Sequence, residues 1–154
     1  MTARTHLLTR RATLLGAASG ALAAPAIAQT KRLTVYKTPW CGCCGGWVQH
    51  MTRAGWSAQV VEVEDLAPIR ARHSIPDRLA SCHTAVVGRY AIEGHVPVSD
   101  IERLVREAPA AFALAAPGMP AGSPGMEAAG REPYVTLLVM RDGSTRVFGR
   151  HGGA

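Results

Sequence analysis

The stretch Leu33-Thr34-Val35-Tyr36-Lys37-Thr38-Pro39-Trp40-Cys41-Gly42-Cys43-Cys44 decides how this chain reads. Its first four residues are aliphatic, β-branched or aromatic and predict a short buried strand. Thr38-Pro39-Trp40 turns the chain, and from Cys43 the period changes. Trp47, Val48, Met51 and Ala54 recur on one helical face until Gly55 ends the run. Three cysteines therefore stand at a helix N-terminus. There, unpaired backbone N–H groups and the positive end of the helix dipole favour thiolate over thiol, so Cys43 and Cys44 are expected to ionise readily.

Outward from this stretch, residues 58–63 predict a second strand and residues 66–73 a short helix stopped before Pro76. Residues 84–88 and 90–93 predict a hairpin-like pair. Residues 98–107 predict a helix capped by Ser99, with Ile101, Leu104 and Val105 facing the core. From 109 to 133 small residues, Pro and Gly dominate, and Pro-Gly-Met occurs at 117–119 and again at 124–126. This segment reads as a loop insertion without regular structure, a feature that in a compact domain is usually functional or disordered. Residues 134–140 and 145–148, joined through Asp142-Gly143, predict a closing β-hairpin. Between residues 33 and 107 the elements spell β-α-β-α-β-β-α. With Trp40-Cys41-x-x-Cys44 after the first strand, this order resembles a thioredoxin-like fold. It is an α/β three-layer sandwich, extended here by a Pro/Gly/Met-rich insertion and a C-terminal hairpin.

The chain has 154 residues, 47% hydrophobic and 18% charged, which fits one packed domain rather than a disordered or fibrous chain. Residues 1–28 read as a leader. Arg4, Arg10 and Arg11 precede a small apolar run from Ala12 to Ala26, closed by the cleavage-type triplet Ala26-Ile27-Ala28. Thr9-Arg10-Arg11 and the residues after it resemble a twin-arginine export signal. The run is too short and too rich in Ala and Gly to span a bilayer stably. Removing the leader leaves residues 29–154 as a single metal-binding domain and lowers the net charge from +6 to +3, because the leader holds three arginines and no acid. Aromatics are only 5% and the arginines are scattered, so a nucleic-acid surface is excluded.

All four cysteines, Cys41, Cys43, Cys44 and Cys82, lie beyond the leader. In an oxidising compartment an even count reads first as disulfides. Here three fall within four residues, and adjacent cysteines reach the Cα separation of a disulfide only with strain, so they make a poor staple. Metal ligation suits them better. Thiolate selects Cu(I), zinc or iron–sulfur centres over hard cations. In a thioredoxin-like order the loop entering the third strand lies against the C-x-x-C turn. Cys82, in Ser81-Cys82-His83-Thr84, is then expected to join the other three, with all four sulfurs within about 7 Å of one another.

Residues 36–44, Ser81-Cys82-His83-Thr84-Ala85, Glu93-Gly94-His95-Val96-Pro97, and the segment from Gly118-Met119-Pro120 to Gly125-Met126-Glu127 occur in order along nearly the whole exported part. Together they resemble the CopG-type periplasmic copper-resistance proteins of domain family DUF411. That resemblance implies a periplasmic protein with a cysteine-bridged copper cluster of more than one ion. Met119 and Met126 would add thioether sulfur, although methionine also fills gaps in cores. His83 and His95 read as ligands, as supports for ligands, or as structural histidines. Met51 and Met140 read as packing, and His50, His73 and His151 as surface residues. Trp40 and Trp47 are expected to shield the sulfurs from water.

Three functional readings follow. The first is an exported copper protein that holds Cu(I) for resistance or handling, with Cu(I)/Cu(II) exchange as an oxidoreductase activity. Its partners would be copper ions and other periplasmic copper-handling proteins. The second is a thiol–disulfide oxidoreductase using Cys41 and Cys44, against which Cys43 stands as a competing nucleophile. The third is a structural zinc module that engages a partner through its Met-containing loop.

Overall fold

The computed structural model describes residues 31–152, so the leader reading for residues 1–28 lies outside the described residues. The elements run β1 (Arg32–Lys37), α1 (Gly42–Arg53), β2 (Ser57–Glu62), α2 (Ala67–Arg72), β3 (His83–Val87), β4 (Tyr90–Glu93), α3 (Val98–Glu107), β5 (Ala111–Ala115), β6 (Tyr134–Met140) and β7 (Thr145–His151). Short 3-10 turns occupy Asp77–Leu79 and Glu127–Ala129. The result is a mixed α/β fold built on one seven-stranded sheet of order β2-β1-β3-β4-β5-β6-β7. No helix among the described residues is long and apolar enough to cross a membrane.

Alternation along the strands sorts the side chains to two faces. Leu33 and Val35 of β1, Ala85 and Val87 of β3, Ile92, Leu114 and Leu138 meet Trp47 and Met51 of α1 and Ile101 and Leu104 of α3 in the main core. Ala91, Ala113, Ala115 and Val139 point the other way, under Ile75 and Leu79. Trp47 is fully buried and its indole N–H donates to the Val96 carbonyl at 2.9 Å, so its polar atom is satisfied within the core. A side chain of this size contributes about 3–5 kcal/mol on the scale of large-to-Ala substitutions. Met51 and Met140 pack as read from the sequence.

Three expectations fail on particular residues. The segment 109–133 is not wholly irregular, because Ala111–Ala115 is an inner strand, parallel to β4 and antiparallel to β6. Four of its five residues, three of them alanines, are buried, so no polar alternation marks it as a strand. Ser99 does not cap α3: the N-cap is Pro97, whose carbonyl accepts from the N–H groups of Asp100 and Ile101, and Ser99 is exposed. His151 is not a free surface residue. β7 runs to His151, whose Nε2 lies 2.8 Å from the carboxylate of buried Asp100, and the Thr136 hydroxyl donates to the same oxygen at 2.5 Å. This carboxylate ties α3 to both strands of the C-terminal hairpin.

Removing it leaves the Thr136 hydroxyl buried without its acceptor, at a cost of about 1–3 kcal/mol. Asp100→Ala is therefore expected to lower the unfolding free energy by about 2 kcal/mol in a denaturant titration. His151→Ala, which leaves the Thr136 bond in place, is expected to lower it by less.

Candidate metal centre

The cysteines are gathered by the end of one strand and the start of another. Lys37, the last residue of β1, pairs with His83, the first of β3, in an antiparallel register. The turn leaving β1 and the loop entering β3 therefore emerge side by side. The Cys41 N–H bonds the Thr38 carbonyl, closing the turn, and α1 begins at Gly42 with Cys41 as its N-cap. Cys43 Sγ lies 3.6 Å from Cys41 Sγ and 3.7 Å from Cys82 Sγ, and Cys44 Sγ lies 3.5 Å from Cys82 Sγ. All four sulfurs fall within 4.8 Å of one another, inside the span expected from the sequence.

Cys41 and Cys44 are joined as a disulfide with a Cα–Cα separation of 5.5 Å, while Cys43 and Cys82 are free thiols. The staple discounted on sequence grounds thus forms across the C-x-x-C pair, one helical turn apart, rather than between neighbours. Four thiolates become available only after two electrons have reduced that bond.

Residues behind the site hold Cys82 in place. Glu93 of β4, fully buried, accepts from the Ser81 N–H at 2.7 Å and from the Thr84 hydroxyl at 2.6 Å, with Arg70 at 3.8 Å. The Ser81 hydroxyl donates to the Gly118 carbonyl. Burial raises the Glu93 pKa, and the two hydrogen bonds and Arg70 oppose that shift. On the opposite face, His83 packs on Trp47 at 4.4 Å between ring centroids and lies edge-on to His95 at 5.0 Å.

His95 bonds the Pro124 carbonyl through Nδ1 at 2.7 Å and approaches Cys82 Sγ through Nε2 at 3.0 Å. A carbonyl only accepts, so Nδ1 carries the hydrogen and the Nε2 lone pair faces the thiol. The carbonyl reaches His95 because Gly125 lies directly on α1. A Cβ on Gly125, whose φ is +85°, would meet the Trp47 nitrogen at 2.6 Å, and one on Gly46 would meet Gly125 Cα at 3.0 Å. Two facing glycines thus let the loop backbone pack on the helix.

The electrostatics follow from this enclosure. Burial first, and the neighbouring Cys43 second, push the Cys82 thiol up to about 12. Burial, with His95 beside it, pushes His83 down to about 3, and burial lowers His95 against the opposing pull of the Pro124 carbonyl and Glu127. Both rings are therefore neutral near pH 7.

Outside the sulfurs lies a groove of about 450 Å³ lined by Trp40, Cys41, Cys43, Asp65, Cys82 and Met119. Trp40 is 70% exposed, so it forms a rim and does not shield the sulfurs; the Thr38–Trp40 turn carries it outward. Met119, also exposed, stands on the same rim, whereas half-buried Met126 lies in the adjoining turn and does not line the groove. A larger hollow of about 600 Å³, lined by Lys31, Trp56, Val87 and Arg106, opens at the far end of β1 and contains no sulfur ligand.

Comparison with known proteins places the chain among relatives. The family model described as "Protein of unknown function, DUF411" matches residues 79–126, which include Cys82, His83, His95 and both Pro-Gly-Met segments. Among curated proteins nothing matches. A solved structure titled "Copper resistance protein copG- Form 1" is 35% identical with a TM-score of 0.74, covering 79% of this chain and 98% of its own. The chain belongs to the CopG-type copper-resistance family. A second structure, titled Form 2 of the same copper resistance protein, agrees at 35% identity and a TM-score of 0.74 over 78% of this chain and 97% of its own. The CopG-type chain thus carries its cysteine cluster where two distant segments of one sheet meet.

Because the Cys82 pKa is raised, its neutral thiol is the favoured form in the folded chain. The unfolded chain, with its thiol near 9, gains a thiolate first, so the contribution of Cys82 to the stability of the metal-free protein is constant below about pH 9 and falls as pH rises from there towards 12. Alkylation of Cys82 in the metal-free disulfide form, mapped by mass spectrometry, is expected at pH 8 to run at least tenfold slower than that of a free cysteine. It should accelerate steeply above pH 9.

Proposed function

We propose that the reduced chain binds Cu(I) through Cys41, Cys43, Cys44 and Cys82 as an exported copper-resistance or copper-handling protein. The observation that carries this reading is the meeting of four sulfurs within 4.8 Å. Thiolates crowded to that degree repel one another and are relieved by shared cations, and the soft thiolate prefers Cu(I) to hard metals. Two bridging thiolates can serve two ions, so the reading carries more than one copper per chain. Zinc is the alternative ion. Met119, on the rim, is placed to meet an arriving ion with a neutral thioether. The similar proteins' titles name copper resistance, which supports the same reading.

The strand order β2-β1-β3-β4, with β1 parallel to β2 and antiparallel to β3, supports reading the first half as thioredoxin-like. The leader read in residues 1–28 supports periplasmic export, with residues 29–154 as the functional domain. A second reading draws on the Cys41–Cys44 disulfide, which is the attacking and resolving pair a thiol–disulfide oxidoreductase would use. The two readings join if copper oxidation state and disulfide state exchange electrons: one disulfide reduced to two thiols takes two electrons, which two Cu(I) release on oxidation to two Cu(II), and two protons from solvent.

Anaerobic Cu(I) titration of the reduced chain, with free-thiol counting, separates the readings. The copper reading expects more than one Cu(I) per chain and loss of all four reactive thiols. Cys43→Ser is expected to lower the copper retained against a competing chelator at least tenfold, about as much as Cys82→Ser. Unchanged copper in Cys43→Ser, with full disulfide exchange, would leave the oxidoreductase reading alone.

A further inference from the structure

Cys82 belongs to two donor sets. Besides the three other sulfurs, the ligand atoms of His83 and His95 lie with Cys82 Sγ inside one 4.8 Å span. The separations are 3.0 Å from Cys82 Sγ to His95 Nε2 and 3.5 Å to His83 Nδ1, which match the edges of a coordination polyhedron whose metal bonds are about 2.0–2.3 Å. Cys43, also a free thiol, adjoins at 3.7 Å.

The histidines do not behave as purely structural residues. A structural histidine normally satisfies both ring nitrogens when buried. His83 is fully buried, yet its Nε2 has no hydrogen-bond partner and its Nδ1 faces only the Cys82 sulfur. His95 has its remote nitrogen fixed by the Pro124 carbonyl, which orients the ring and raises the basicity of the nitrogen turned to Cys82. That is the arrangement that supports ligating histidines in metal sites. The Pro-Gly-Met loop thereby has a role that its methionines alone do not explain.

The disulfide makes this set distinct from the thiolate cluster. Joining Cys41 to Cys44 removes two of the four thiolates but leaves Cys82, 3.5 Å from Cys44 Sγ, as a free thiol beside both imidazoles. We propose that the disulfide form of the chain keeps a second metal site, made of Cys82, His83 and His95, for a divalent borderline ion such as Cu(II) or Zn(II). The inference extends the thiolate reading through the shared Cys82. Imidazole and a single thiolate suit divalent copper and zinc, whereas the all-sulfur set suits Cu(I). Binding exchanges the Cys82 S–H for a sulfur–metal bond and releases that proton to solvent, with no change in oxidation state. In a chain whose Cys41 and Cys44 are free thiols, the same Cys82 sulfur would belong to a sulfur-only donor set instead of the nitrogen-rich one.

The test uses the purified disulfide form, kept anaerobic, with Co(II) as an optical probe that does not oxidise thiols and Zn(II) as a silent one. The expected result is one Co(II) per chain with a sulfur-to-cobalt charge-transfer band that Cys82→Ser abolishes, and at least tenfold weaker binding in His95→Ala. Because His83 is buried and its variants risk misfolding, the unsubstituted chain is also titrated with Zn(II). Ring-nitrogen shifts of both His83 and His95 are then followed by 15N NMR, and both are expected to move as one equivalent is added. No Co(II) uptake by the disulfide form, equal uptake in His95→Ala, or unmoved ring nitrogens would each overturn the proposal. The same preparation, reduced and titrated with Cu(I), keeps the two claims apart. Four-thiol Cu(I) uptake without Co(II) uptake by the disulfide form sinks this inference alone, and the reverse pattern sinks the thiolate reading alone.

Discussion

The pairing of Lys37 with His83 is the constraint on which the site depends. Antiparallel pairing of β1 and β3 puts the exit of one strand beside the entrance of the other. Cys44 and Cys82, 38 residues apart in sequence, thereby come to 3.5 Å. A slip of one residue would move Cys82 by about 3.3 Å along the strand and flip every β3 side chain to the opposite face. His83 would leave Trp47 and Thr84 would leave Glu93. The buried residues Val35, Ala85 and Val87, which face the helices only in the observed register, guard against it.

Packing converts that register into chemistry. The α1 face is filled by Trp47 and Met51, so the helix start cannot move away from the β3 entrance without opening the core. The opposite face supplies Glu93, which anchors the Ser81 amide and so fixes the residue before Cys82. Between these supports the thiols and imidazoles sit in a medium poor in water, where charged forms are disfavoured. A thiol held neutral in the metal-free chain gives up its proton when a cation arrives to stabilise the thiolate. Under the copper proposal, enclosure and metal affinity are therefore coupled through that proton. On the outer side the groove between Trp40 and Met119 leaves the sulfurs open to an approaching ion.

Much of this was legible because local patterns and chemistry agreed. The strand, turn and helix around Cys41–Cys44 followed from period and turn residues, and the approach of Cys82 followed from element order. What escaped detection depends on tertiary context. Ala111–Ala115 lacks alternation because it is buried between β4 and β6. Ser99 has cap chemistry, but the chain enters α3 two residues earlier, through Pro97. Trp40 is apolar yet exposed, and nothing in its neighbours signals which side of the turn it takes. His151 acquires a partner only when β7 crosses Asp100, 51 residues earlier in the chain. The disulfide between Cys41 and Cys44 was obscured by Cys43, which made the whole group read as ligands.

X-ray absorption at the copper edge of the reduced, Cu(I)-loaded chain tests the central claim most directly, because it reports what touches the metal. Gathering of the four cysteine sulfurs around shared Cu(I) predicts a first shell of sulfur alone and a copper neighbour just beyond it. A first shell dominated by nitrogen or oxygen, or sulfur with no second copper, would contradict a shared thiolate centre.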